Sequence, residues 1–319
     1  MPARRISFVN FKGGVGKTSL AVNVAACLAH DLNQKVLLVD CDSQSNASIW
    51  LMGIARWNVR NSTVGSSIYG AFLPNLPPVI NNIVPSVVEN DRGMILIPNL
   101  DLMPATYELM DLEEEYQDNQ GNPFYYRFYE HLRSLFNQYD YILFDCPPNI
   151  FRASKCAIFA SEEIYVPCNP DRLSQIGLAL LVTKIDRFHK QTTLQQQLIP
   201  GFAPAKIRGV VLNDVDGRAK VDDAVWYMGI TIAKARLHHV VSDDANVLTQ
   251  RIRKAVFAAK VVDAYLPATV AEGDQGIKDD YLNLARYVHN TPLNSRGDAD
   301  GTQRQARAPR RAARQTPRN

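Results

Sequence analysis

Short apolar runs punctuate this chain, and between them hydrophobic positions recur at helical spacing. Ile6-Ser7-Phe8-Val9 reads as a first strand, Val36-Leu37-Leu38-Val39 as a second and Met94-Ile95-Leu96-Ile97 as a third. Ile142-Leu143-Phe144, Ile164-Tyr165-Val166 and Val210-Val211-Leu212 read as the fourth, fifth and sixth. The second run is apolar on both faces, as a central strand covered by helices on each side requires. A glycine-rich loop follows the first run. Leu20, Val24 and Leu28 then fall at i, i+4 and i+8, which predicts a helix from Thr18 to about His30. Strands alternating with helices predict an α/β fold with a doubly wound, mostly parallel sheet. Residues 51–93 and 111–124 lack a clear period and read as surface insertions around helices, the second of them acidic.

Composition narrows the class. The 319 residues are 46% hydrophobic and 21% charged, ordinary for a soluble globular chain. No apolar run is long enough for a membrane span, and Met-Pro-Ala-Arg-Arg leads into a strand without the apolar core of a signal peptide. Cys27, Cys41, Cys146, Cys156 and Cys168 form no C-x-x-C pair, which favours reduced thiols in a cytoplasmic protein. The net charge of +3 is unevenly placed. Arg296, Arg304, Arg307, Arg310, Arg311, Arg314 and Arg318 stand against Asp298 and Asp300, a net of +5 that leaves about −2 for residues 1–295. After Val288 large apolar residues nearly vanish. The expected organisation is therefore one domain over 1–290 and a disordered Arg-rich tail over 291–319.

The chemistry begins in NFKGGVGKTS, residues 10–19. The ordinary phosphate-binding loop is G-x-x-x-x-G-K-[ST]. Here Phe11 stands where its first glycine belongs, the glycines crowd at 13, 14 and 16, and a second lysine, Lys12, precedes them. Gly13-Gly14-Val15-Gly16-Lys17-Thr18-Ser19 is expected to bind a nucleoside triphosphate. Backbone N–H groups and the helix N-terminus would cradle phosphate, Lys17 would reach the outer phosphates and the Thr18 hydroxyl would hold Mg²⁺. Two buried strands end in carboxylates, one in Asp40-Cys41-Asp42 and the other in Asp145. Ligands of open α/β sheets bind beyond the carboxyl ends of strands, so all three should converge near the phosphates. Asp145 is expected in the metal shell, Asp40 as its support and Asp42 as the group orienting the attacking water.

KGGVGKTS, VLLVDCDSQSNAS (36–48) and YDYILFDCPPN (139–149) resemble the ParA/MinD family of deviant Walker-A ATPases, P-loop NTPases by fold. MILIPNLDLMPATYEL (94–109), EEIYVPCNPDRLSQIGLALL (162–181), IRGVVLNDVD (207–216) and GIKDDYLNLARYV (276–288) look like the ParA branch in the same order. The resemblance implies a homodimer that sandwiches two ATP molecules, with Lys12 reaching the partner subunit's phosphates, so that Lys12, Lys17 and Asp42 carry catalysis. It implies that Asn213 contacts adenine and that the segment from Pro167 to Pro170 lines the base. It implies non-specific DNA as a partner through Arg218 and Arg236, with Lys220, Lys234, Arg251, Arg253 and Lys254 widening the patch. A ParB-like or cargo-adaptor protein would stimulate hydrolysis, and the protein would be cytoplasmic and nucleoid-associated. The cargo could be a plasmid, a chromosome or a protein assembly such as a chemoreceptor array or microcompartment. A MinD-like membrane cycle is the alternative; it is disfavoured because residues 306–319 offer no Leu, Ile, Val, Phe, Met or Trp for an apolar face.

Overall fold

Alternate residues of each strand feed two separate cores, and this layering places the loops that matter. The computed structural model describes residues 2–63, 65–72, 79–90, 92–114, 123–216 and 221–292. Strands β1 (Arg4–Phe8), β2 (Val36–Asp40), β3 (Leu100–Met103), β4 (Tyr141–Asp145), β5 (Glu163–Cys168), β6 (Lys206–Leu212) and β7 (Val241–Val247) form one sheet. Its order is β3-β2-β4-β1-β5-β6-β7, and every pairing is parallel. All seven carboxyl ends therefore lie along one edge.

Helices α1 (Lys17–His30), α2 (Asn46–Met52), α3 (Ile54–Asn61), α4 (Leu109–Glu114), α5 (Phe124–Leu132), α6 (Arg152–Ala160), α7 (Arg172–Gln191), α8 (Thr193–Gln197), α9 (Asp222–Ala235), α10 (Phe257–Asp263) and α11 (Gln275–Asn290) cover the sheet. Val36 and Leu38 of β2 pack with α1, α2 and α11 on one face. Leu37 and Val39 belong to the other core, which α5, α6, α7 and α9 complete along the sheet. The sheet is doubly wound, as the strand patterns required.

Helix α1 is buried on every side from Leu20 to Ala29, because the sheet, α2 and α11 all press on it. Its alanines let those neighbours approach closely, which is why the Leu20, Val24 and Leu28 stripe is only part of its buried surface. Two expectations change. Residues 94–97 are not a strand: Met94 and Ile95 are 57% and 53% exposed, and β3 is Leu100–Met103 instead, paired with Val36–Val39. Residues 51–93 are also more than a surface insertion. Ile68, Ala71, Phe72, Val87 and Val88 are buried, and Phe72 stacks on Phe128 with ring centroids 5.2 Å apart. Of the acidic insertion at 111–124, residues 115–122 lie outside the described residues, as does the tail from 293.

Candidate nucleotide site

β1 ends at Phe8, and the chain turns through residues 9–16 into α1. Gly14 and Gly16 hold left-handed backbone angles, φ 72° and 86°, a region that costs an L-residue about 1–2 kcal/mol. Gly16 is constrained twice, since a Cβ there would sit 2.2 Å from Asn213 Nδ2. Gly13 is under neither constraint. Gly16 also occupies the N-cap of α1, where among the described residues no side chain caps the helix and no acidic residue lies in the first turn. The first amides of α1 are thus left for an anion, with the helix dipole favouring it.

The two lysines diverge. Lys17 is only 7% exposed, and its Nζ donates to the Lys12 carbonyl at 3.0 Å. Burial lowers its pKa, against the opposing pull of Asp145 and Asp42. Lys12 points away, its Nζ 2.6 Å from Asp171 Oδ2. Asn10 fixes the loop beneath both, accepting from Lys12 N at 3.1 Å and donating to the Pro167 carbonyl at 2.6 Å.

The carboxylates gather as strand register dictates. Asp40 and Asp145 are register partners on neighbouring strands and lie on the α1 face of the sheet. Asp145 is fully buried, and among the described residues neither carboxylate oxygen accepts a well-formed hydrogen bond. Burial and the neighbouring Asp40 push its pKa well up, while Thr18 and Lys17 oppose the shift. A buried acceptor without partners is what a divalent cation or a triphosphate-bound ion satisfies, so the site fits Mg²⁺. Asp42 is 6% exposed; burial raises its pKa, and its Oδ1 accepts from Gln44 N at 3.0 Å.

Asp40 is held by neighbours from β2's own loop and from α2. Its Oδ1 accepts from Asp42 N at 3.0 Å, and its Oδ2 accepts from Ser48 N at 2.9 Å and Ser48 Oγ at 2.7 Å. Ser48 Oγ in turn accepts from Ala105 N at 2.8 Å. Asp40 is a strut joining β2, α2 and the residue beyond β3, and its hydrogen-bonding capacity is largely spent. Burial still pushes its pKa up to about 7. Among the described residues no group of three His, Cys, Asp or Glu could hold a metal alone. Asp145 and Thr18 are the side-chain oxygens beside the loop that could hold a Mg²⁺ ion.

The remaining expected residues divide. Asn213 sits at the mouth, its backbone N–H bonded to the Cys168 carbonyl at 2.8 Å and its side chain against Gly16. Pro167 lies not in a loop but buried within β5, one residue before its carboxyl end. Tyr165 faces β1, since its carbonyl accepts from Val9 N, so two residues on Pro167 faces the same way, past the end of β1. Its missing N–H therefore faces the place where β1 has already left the sheet, and Asn10 Nδ2 reaches its carbonyl there. The loop proper begins at Asn169.

Arg218 and Lys220 lie outside the described residues. Arg236 lies just beyond α9, and its guanidinium turns inward to donate to the Ala245 carbonyl at 2.6 Å. Arg253 is held bidentately by Asp280 at 2.7 and 2.9 Å, and Lys254 lies 3.9 Å from Asp214. Among the described residues, Arg236 and Arg253 are thus already committed to partners within the chain. Asn10 and Asp171 were not foreseen as site residues; the only sequence signal for Asp171 is an N-cap residue ahead of a helical period.

A family model described as an AAA domain matches residues 3–199. The chromosome partitioning protein ParA of Caulobacter vibrioides is 30% identical over 90% of this chain and 94% of its own. In fold the chain resembles a variant of Cyanothece McdA in complex with ATP, with a TM-score of 0.66 and 15% identity over 89% of this chain and 96% of that one. It also resembles the septum site-determining protein MinD of Pyrococcus horikoshii complexed with Mg-ADP, with a TM-score of 0.61 and 20% identity over 90% and 96% of the two chains. A glycine loop with a second lysine, strand-end aspartates in register and this kinship agree: the chain belongs to the ParA/MinD family of P-loop ATPases.

Proposed function

We propose that this protein is an ATPase that dimerises around ATP, binds DNA without sequence preference in that state, and positions a plasmid or chromosome. The observation that carries the reading is Lys12. It sits beside the phosphate loop yet its Nζ points away from its own strand-end carboxylates, toward Asp171. Two triphosphates at a subunit interface concentrate negative charge, and a lysine supplied by each partner offsets it only when the two copies meet. ATP would then hold the dimer together, and hydrolysis would dissolve it.

Within one chain, the amides of Gly13 to Ser19 bind the phosphates and Lys17 leaves the Lys12 carbonyl to reach them. Asn213 closes the mouth beside the base. Thr18 and Asp145 hold Mg²⁺, which supplies neutralisation of phosphate charge. Asp42, least enclosed of the three carboxylates, orients the attacking water. The DNA-bound state draws on the seven arginines of the tail, whose guanidiniums contact phosphate regardless of sequence. A ParB-like or cargo-adaptor protein stimulates hydrolysis and releases the dimer. The ParA name of its Caulobacter relative supports partition. Among the described residues no helix is long and apolar enough to cross a membrane.

DNA binding measured with ATP, ADP and no nucleotide across a salt series tests the reading. ATP-dependent, sequence-blind binding with a steep salt slope is expected; binding to liposomes in place of DNA would overturn it. Lys12→Ala should retain ATP binding while losing dimerisation and hydrolysis. Normal dimerisation by that variant would refute the shared lysine.

A further inference from the structure

In the single chain Lys12 already has a partner. Asp171 divides its carboxylate between two tasks: Oδ1 accepts from Ser174 N at 2.7 Å and caps α7, while Oδ2 takes the Lys12 ammonium at 2.6 Å. The pair is preset by the backbone. Asn10 ties the Lys12 amide to the Pro167 carbonyl, so the loop bearing the lysine and the strand leading to Asp171 are held in fixed relation. Lys12 and Asp171 side chains are 32% and 41% exposed, so water screens the pair and it can exchange. On the other side, Lys17 holds the Lys12 carbonyl at 3.0 Å. Phosphate that draws Lys17 into the pocket removes that restraint from the Lys12 backbone.

We propose that Asp171 is an intrachain latch for Lys12, so that dimerisation must exchange the Asp171 carboxylate for the partner copy's phosphates. The proposal rests on the shared-lysine reading and adds its regulation. A nucleotide-free or solitary chain keeps Lys12 neutralised and withholds that cation from other polyanions. Two latches open when two copies join, so their combined strength sets the ATP level at which dimers form. Asp171 acts only through Lys12 and is a positioning residue.

The test keeps the helix cap. Asp171→Asn retains an oxygen for Ser174 N but loses the charge that faces Lys12. An exposed pair is worth at most about fivefold in an equilibrium, so releasing two should tighten dimerisation by up to about twenty-five-fold. Sedimentation with a non-hydrolysable ATP analogue and magnesium reads this directly for wild type, Asp171→Asn, Lys12→Ala and the double variant. Lys12→Ala and the double variant are the non-dimerising controls; faster reductive methylation of Lys12 in nucleotide-free Asp171→Asn is the readout that a merely structural role for Asp171 would not produce. Unchanged or weaker dimerisation of Asp171→Asn beside a dimerising wild type overturns the latch. If neither dimerises, the shared-lysine reading has failed, and reductive methylation of nucleotide-free protein decides the latch alone. Lys12 should be modified several-fold faster in Asp171→Asn; equal rates overturn the proposal.

Discussion

Replacing Gly16 by alanine tests how tightly the phosphate loop is built. The backbone there stands at φ 86°. Placing an L-residue in that region costs about 1–2 kcal/mol, of which the stiffer unfolded chain offsets a fraction. The new Cβ would stand 2.2 Å from Asn213 Nδ2 and 2.8 Å from its Cγ, so a tip rotation does not suffice and the whole side chain must swing aside. Displacing a packed side chain adds about 1–2 kcal/mol. The total, about 2–3 kcal/mol, corresponds to a fall of roughly 4–9 °C in Tm for a domain of this size. Thermal or urea unfolding of the nucleotide-free protein measures it, and ATP affinity should fall as well because the loop amides lose their aim. Combining Gly16→Ala with Asn213→Ala should recover the steric part and leave the backbone part. The two changes would then miss additivity by about 1–2 kcal/mol. Additivity to within about 0.5 kcal/mol would show that Asn213 does not press on the loop as described.

Three further outcomes follow from the geometry. Asp40 is pushed from 3.8 up to about 7 and Asp145 is also raised, so the folded chain binds more protons than the unfolded chain between those values. The stability Asp40 contributes is full below about pH 4 and is lost as pH rises through 7, on the order of 4 kcal/mol, and Asp145 acts in the same direction; Tm of nucleotide-free protein should fall across that window, and Asp40→Asn should flatten the profile. Ser48→Ala strips a bond from Asp40 and the acceptor from Ala105 N, which should cost about 2–4 kcal/mol in urea unfolding; a loss under about 0.5 kcal/mol would show that the strut is idle. Truncation after residue 292 removes seven arginines and should reduce the salt slope of DNA binding by up to about 6, whereas an unchanged slope would place the contacts on the folded body.

Most of the sheet was legible because its central strands are covered on both faces and so appear as unbroken apolar runs. The edges were not. β3 carries Asp101 in its middle, where Tyr139 Oη and Ser86 N donate to it, so its sequence looks less strand-like than the 94–97 run beside it, whose Met94 and Ile95 are exposed. β7, VSDDANV, has no apolar run at all and escaped notice. The phosphate loop was readable because glycine is required where φ is positive, and Asp145 because it ends a buried strand. The exhaustion of Asp40 was hidden, since it depends on Ser48 arriving from α2. The inward turn of Arg236 and the neutralisation of Arg253 were hidden for the same reason: their partners, Ala245 and Asp280, come from other elements.

The flanks of the sheet also bear on how copies meet. β7 carries two exposed carboxylates, Asp243 and Asp244, the latter paired back to Arg208 of β6, and β3 is overlaid by an antiparallel bridge from Val84 to Leu102. A carboxylate-studded margin on one side and a covered margin on the other are poor templates for strand addition. Lateral stacking into open-ended fibres is thereby discouraged, and the proposed two-fold closure across the nucleotide end would be free of that competition.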